Sequence, residues 1–399
     1  MTAPRLLLLL GQSPFDPTSG AAQSMRQIAE LLATQGFAVR ALATTGCEGD
    51  THQEHPAWLT AGGWHPKRVP SFAQHDRYVL ELDTGGVQHE LIETDPQRKH
   101  HWQQDVGAVY AAHLHRLQAE FRPTHVLTFG GDRADQQRRE ALRTAGTRVV
   151  FALHNLHYLP HRPAGCDAFL APSHFLAQRY AKAWNEEVAV LPPALSTDTI
   201  LAASHEPVFI TWFNPEPAKG LWLMARIAER LGKERPDIPL LVVEGRGRAA
   251  DLVAAGRAAG VDLSRYPNIM FNSPVARVAE LWAACRILLA PSVVEEAAGR
   301  VAMEALLNGA VPIVSDRGGL PEMAGEAGIV LPLPASYTRS SRKPLPLNMA
   351  APWFDTITRL VDDEAEFARR STAARAAGAA WLPGQLGPIY ARWFSGIGG

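Results

Sequence analysis

Pro291-Ser292-Val293-Val294-Glu295-Glu296-Ala297-Ala298-Gly299-Arg300-Val301-Ala302-Met303-Glu304-Ala305 follows an apolar run with the character of a buried strand, ending at Ala290, and leads into a helix expected from near Gly299. The segment continues through Gly309, Val311-Pro312-Ile313-Val314 and Gly318-Gly319-Leu320-Pro321-Glu322. Small residues at such a helix start leave backbone N–H groups open to an anion such as a diphosphate. Ala298, Gly299, Arg300 and Val301 are therefore candidate anion-binding positions. Glu304 falls about one turn into the helix, on the face of Arg300, and Glu296 lies in the loop before it. Two carboxylates so placed can accept hydrogen bonds from several hydroxyls of one ligand.

The surrounding chain alternates short apolar runs with amphipathic stretches, the pattern of an α/β protein. Residues 5–10 read as a strand, Gly11 to Gly20 as a small-residue loop, 21–34 as a helix and 37–43 as a strand, which makes one right-handed crossover unit. Asp83-Thr84-Gly85-Gly86 between two apolar runs predicts an antiparallel hairpin appended to the sheet. Leu191-Pro192-Pro193 closes the first series, and 195–207 reads as a linker. A second series runs from 208–213 to 311–315, and the tail from Trp353 is helical. The expected domains are 1–195 and 196–375, with 376–399 crossing back to the first.

With 399 residues, two domains are the natural expectation, and 46% hydrophobic with 20% charged residues is an ordinary globular composition. A formal net charge of -1 argues against nucleic acid as a partner. Cys47, Cys166 and Cys285 are far apart, so a disulfide framework and a structural zinc site are not expected, and a reducing cytoplasm is the natural home. The apolar run at residues 6–10 is too short for a signal-peptide core, and no later run reaches the roughly 20 residues of a membrane span. Peripheral contact at the inner face of the membrane stays open.

The stretch at 291–305, with its tail at 318–322, resembles the Glu-x7-Glu motif of retaining GT-B glycosyltransferases, in particular glycosyltransferase family 4. Asn214-Pro215-Glu216-Pro217-Ala218-Lys219-Gly220 is similar to that family's loop ending in Glu-Lys-Gly. The resemblance implies two Rossmann-like domains facing across a cleft, the first binding the acceptor and the second the nucleotide-sugar donor. It implies that Glu296 contacts the donor sugar, that Glu304 binds the ribose hydroxyls and that Lys219 neutralises the diphosphate. Ser19 and Gly20, in a small-residue first loop, are expected to approach the donor phosphate. His154, at the end of a strand, is expected near the reacting sugar, and Arg246 near the nucleotide base. Two departures stand out. Ala297-Ala298-Gly299 replaces the usual Gly-Phe-Gly, and Asn214 stands where the family often has an arginine.

The implied reaction moves a sugar from a nucleoside diphosphate sugar to an acceptor hydroxyl with retention of configuration. No metal is needed if Lys219 and the helix amides hold the diphosphate. The donor serves as co-substrate, with UDP preferred among bases, and no other cofactor is expected. The acceptor, whether saccharide, lipid-linked or small molecule, is not legible. The alternatives are a catalytically weak sugar-nucleotide-binding or scaffold protein of the same fold, or a GT-B epimerase.

Overall fold

The computed structural model describes residues 3–49, 55–96, 99–195, 197–275, 277–342 and 345–397. Two compact units divide the chain: Met1–Ala194 together with Pro383–Gly399, and Leu195–Leu382.

The first unit is built on strands β1 (Arg5–Leu9), β2 (Ala38–Thr44), β3 (Lys67–Pro70), β4 (Tyr78–Thr84), β5 (Val87–Ile92), β6 (His125–Thr128), β7 (Arg148–Ala152), β8 (Ala168–Ala171) and β9 (Ala189–Val190). They form one sheet in the order β3-β4-β5-β2-β1-β6-β7-β8-β9. From β5 to β9 every pairing is parallel, and β4 is antiparallel to both β3 and β5. The run Leu6 to Leu9 is almost wholly buried, as a central parallel strand covered on both faces requires. The expected hairpin is present as β4 and β5, and it joins the sheet through the pairing of β5 with β2. Neither β3 nor the short helix His55–Ala61 was expected. β3 holds too few apolar residues to mark it, and the helix, at seven residues, is too short to show a period.

The second unit holds a six-stranded, all-parallel sheet of β10 (Phe209–Phe213), β11 (Leu240–Val243), β12 (Ile269–Asn272), β13 (Cys285–Ala290), β14 (Val311–Ser315) and β15 (Ile329–Leu331). The order is β12-β11-β10-β13-β14-β15. The helix Leu221–Glu234 presents Leu223, Met224, Ile227 and Leu231 at helical spacing, and all four are fully buried. Each such side chain stabilises by roughly 1.5–3 kcal/mol.

Two expectations need correction. The stretch 195–207 is not a free linker. Leu195 and Ile200 are buried, and Asn308 both donates to the Ile200 carbonyl and accepts from the Ala202 amide. The return to the first unit begins at Pro383 rather than at 376, because the helix Glu364–Gly378 belongs to the second unit, where Gly378 lies flat against Leu307. Within the first unit, Tyr390 is fully buried and its hydroxyl donates to the carbonyls of Leu191 and Pro192.

In each sheet the chain order reverses beside the first strand, between β1 and β6 and between β10 and β13. Loops diverge there at the carboxyl ends of the strands, the place where open α/β sheets bind ligands.

Candidate functional site

The loop after β10 and the loop after β13 meet at this reversal in the second unit. Asn214 leaves β10 in the left-handed region, at φ 61°, which Asn tolerates better than most residues. Its side-chain oxygen accepts from the Gly247 amide at 2.8 Å, and its amide nitrogen donates to Glu216 at 3.2 Å. A short 3-10 turn, Pro217–Lys219, follows, and the Ala218 carbonyl accepts from the Val293 amide at 3.0 Å. That bond ties the two loops together and brings Lys219 to Glu296.

Lys219 Nζ donates to Glu296 Oε1 at 2.6 Å, and Ser292 Oγ donates to the same oxygen at 2.6 Å. Burial by itself pushes the Glu296 carboxyl up. Lys219 foremost, with Ser292 and Arg246, outweighs burial and holds it below the usual carboxylate range. The Glu296 backbone is fixed as well. It forms a parallel bridge with Gly318, and its carbonyl accepts from the Gly319 amide at 2.8 Å. Gly318 has φ 65°, and a Cβ there would lie 2.3 Å from the Glu296 carbonyl oxygen, so only glycine allows this approach.

Gly299 caps the helix Arg300–Asn308 at φ 93° with no side-chain capping bond. One turn into that helix, Arg300 Nε donates to Glu304 Oε1 at 2.7 Å, and Trp282 Nε1 donates to Oε2 at 3.3 Å. A carboxylate offers about four lone-pair sites, so Glu304 keeps capacity for ligand hydroxyls. Ala298 is buried, while Val301 is half-buried on the first turn. Arg246, more than a third exposed, reaches Glu216 at 3.1 Å.

The candidates therefore fall into groups. Lys219, Glu296, Ala298, Gly299, Arg300, Val301, Glu304 and Arg246 all lie in the second unit, with Lys219–Glu296 and Arg300–Glu304 in direct contact. Ser19, Gly20 and His154 lie in the first unit. Ser19 caps the helix Gly20–Thr34, accepting from the Ala22 amide, and also accepts from Gln12 at 2.9 Å. A Cβ at Gly20 would meet nothing within 4 Å, so no neighbour demands glycine there. His154 follows β7 and packs edge-on against Phe129, with ring centroids 5.3 Å apart. Burial pushes its imidazole down to about 4, and its Nε2 makes no hydrogen bond.

Sequence reasoning missed Ser292, Trp282 and Glu216. Ser292 stands four residues before Glu296 and was legible as a hydroxyl beside the carboxylate. Trp282 is joined to Glu304 only by the fold. In the first unit Trp102, at the start of the helix Trp102–Glu120, is buried against Gly11. Among the described residues no group of three or more His, Cys, Asp or Glu side chains is placed to hold a metal ion, and no helix is long and apolar enough to cross a membrane.

Two α/β units on mainly parallel sheets, each with a strand-order reversal at a loop-lined edge, constitute the GT-B fold. Residues 205–340 match the family model described as "Glycosyl transferases group 1", a span that includes Lys219, Arg246, Glu296 and Glu304. A search of curated proteins returned no match. Among solved structures, the chain is similar to Anabaena HepE in complex with UDP and glucose, at 16% identity and TM-score 0.65, covering 98% of this chain and 99% of that one. Sucrose-phosphate synthase from Thermosynechococcus elongatus gives the same four values. The pneumococcal O-GlcNAc transferase GtfA in complex with UDP and GlcNAc is 12% identical, with TM-score 0.67, covering 100% of this chain and 99% of that one. Fold and family match together support a GT-B glycosyltransferase.

Proposed function

We propose that this chain transfers a sugar, with retention of configuration, from a nucleoside diphosphate sugar to an acceptor hydroxyl, and that the second unit binds the donor. The observation that carries this reading is the Lys219–Glu296 contact of 2.6 Å at the β10/β13 reversal, with Glu304 one turn into the adjoining helix. Lys219 has three N–H donors and Glu296 takes one of them, so the others are available to diphosphate oxygens. The open first turn at Gly299 to Val301 adds N–H groups and a positive helix end to the same anion. A cation and a helix terminus so placed stabilise the leaving diphosphate without a metal. Glu296, held ionised, is assigned to the hydroxyls of the transferred sugar, and Glu304 to the ribose.

Asn214 presents no positive charge, so Arg246 is assigned as the second cation near the donor. The parts of Ser19, Gly20 and His154 rest on the family resemblance, and the first unit is assigned to the acceptor. UDP is the preferred base. Three buried cysteines without a disulfide suit a reducing cytoplasm.

The test is incubation with UDP-, GDP- and ADP-sugars and a panel of saccharide and lipid-linked acceptors, in EDTA and in magnesium. Proton NMR reads the anomeric configuration of the product. The proposal expects one donor class to be consumed in EDTA with retention. An inverted product, or consumption that requires magnesium, contradicts the corresponding part.

A further inference from the structure

The amino edge of the first unit's sheet, remote from Ser19 and His154, holds a cavity of about 520 Å³. Strands of about five residues separate the two edges by roughly 16 Å. Arg5, Arg122 and Arg148 line it at the starts of β1, β6 and β7, and no acidic side chain does. None of the three forms an ion pair among the described residues. Arg5 Nε donates to the Arg122 carbonyl at 2.7 Å, and Arg122 Nε to the Ala119 carbonyl at 3.3 Å.

The plainest role for such arginines is to face the carbonyl ends of helices. Three helices end here, at Glu120, Thr144 and Gly396. Each contributes about half a negative charge, some 1.5 in all, against three positive charges. Among the described residues no ion pair to these arginines offsets the surplus.

A second feature points the same way. His125 lines the cavity with 8% of its surface exposed, and its Nε2 makes no hydrogen bond. The carbonyls of Phe394 and Ile397 are close enough to favour its charged form, but neither meets Nε2 at hydrogen-bonding geometry, and it is the geometry that defines a partner. Thr124 Oγ lies 3.0 Å from the Arg5 carbonyl and 2.9 Å from His125 Nδ1, and its one proton can go to either. A hydrogen phosphate offers oxygens for guanidinium forks and both an acceptor oxygen and a P–OH for Nε2, so it meets the ring in either tautomer, whereas a carboxylate can only accept.

We propose that the cavity lined by Arg5, Arg122, Arg148 and His125 is a phosphate-binding site separate from the donor site. Its ligand is a phosphate monoester or the phosphate of an anionic lipid headgroup. This does not depend on the assignment of the second unit.

The experiment titrates the full chain with inorganic phosphate and with glycerol 3-phosphate by calorimetry and follows the His125 ring by NMR. Co-sedimentation with vesicles of phosphatidylglycerol or of neutral phosphatidylcholine runs alongside. Variants are Arg148→Gln, Arg122→Gly and their combination. Arg122 has φ 51°, so glycine there removes the guanidinium while relaxing the backbone. Each single change is expected to weaken phosphate binding at least about tenfold. Lys219→Ala is expected to leave phosphate binding at His125 unchanged. Binding of the soluble phosphates alone identifies a soluble ligand. Added retention on phosphatidylglycerol vesicles, lost in the double variant, identifies a lipid one. No phosphate effect on the His125 ring, or an effect that survives the double variant or disappears in Lys219→Ala, overturns the proposal.

Discussion

At the carboxyl edge of the second unit's sheet the polar side chains are ions met by ions, Glu296 by Lys219 at 2.6 Å and Glu304 by Arg300 at 2.7 Å. At the corresponding edge of the first unit neutral groups carry more of the contacts, beside the buried Asp16, whose carboxylate accepts from the Thr18 and Glu48 amides. Ser13 bonds His55 at 2.9 Å, Gln12 bonds Ser19 at 2.9 Å, and His154 lies buried with its Nε2 unpartnered. Burial pushes the imidazoles of His55 and His154 down to about 4 and that of His89 to about 3. An ion pair can exchange one partner for an incoming anion or hydroxyl at little loss of charge compensation. A buried neutral imidazole has no such freedom, and its stability depends on pH. The exchangeable ion pairs at the second edge are thus its chief difference from the first.

The largest expected effect is on Lys219. Lys219→Ala should lower kcat about a hundredfold or more, the usual consequence of removing one preorganised group from a developing negative charge. It should also raise the Glu296 carboxyl toward the value that burial alone dictates. Initial rates over pH 5 to 9 check both, and a rate within a factor of three of wild type would break the comparison.

Gly318→Ala comes next. A Cβ only 2.3 Å from the Glu296 carbonyl oxygen must push one loop away, at a cost of about 2–4 kcal/mol. Denaturant unfolding gives the figure, and the same variant should lose donor binding because Glu296 moves with its backbone.

Acidification sharpens the contrast further. An imidazole held below its ordinary range takes up its proton only on unfolding. The stability that it contributes is complete above about pH 6.5 and is lost as pH falls toward 4. Glu296, held low instead, contributes stability that is lost only as pH falls below its ordinary carboxylate range. The first unit should therefore open before the second between pH 6.5 and 4. Hydrogen exchange read by mass spectrometry follows the two units separately, and His89→Phe should move the first transition to lower pH. Opening of the second unit first would reverse the argument. The smallest effect belongs to Arg246→Gln. A group more than a third exposed should cost only about three- to tenfold in donor affinity.

Much of this was readable in the sequence, for physical reasons. The apolar runs that became β1, β10 and β13 are central strands buried on both faces, which leaves no choice of residue type. The one-turn separation of Arg300 and Glu304 follows from helix geometry alone. What escaped was set by tertiary contact. Nothing in the local pattern of 195–207 reveals that Asn308 grips Ile200 and Ala202, nor that Trp282 donates to Glu304. The role of Asn214 was likewise hidden. Its departure from the family arginine reads as a lost charge, whereas the fold uses it at φ 61° to pin the Gly247 amide and to hold Glu216, which in turn meets Arg246.

The assignment of the donor to the second unit is tested most directly by calorimetry of UDP and uridine on wild type, Lys219→Ala and Glu304→Ala, each checked for folding by circular dichroism. The account predicts that Lys219→Ala weakens UDP far more than uridine, since it removes a phosphate contact. Glu304→Ala should weaken both about equally, since it removes ribose contacts. Equal UDP affinity in all three proteins, or no nucleotide binding by well-folded wild type with GDP and ADP also tried, would contradict it.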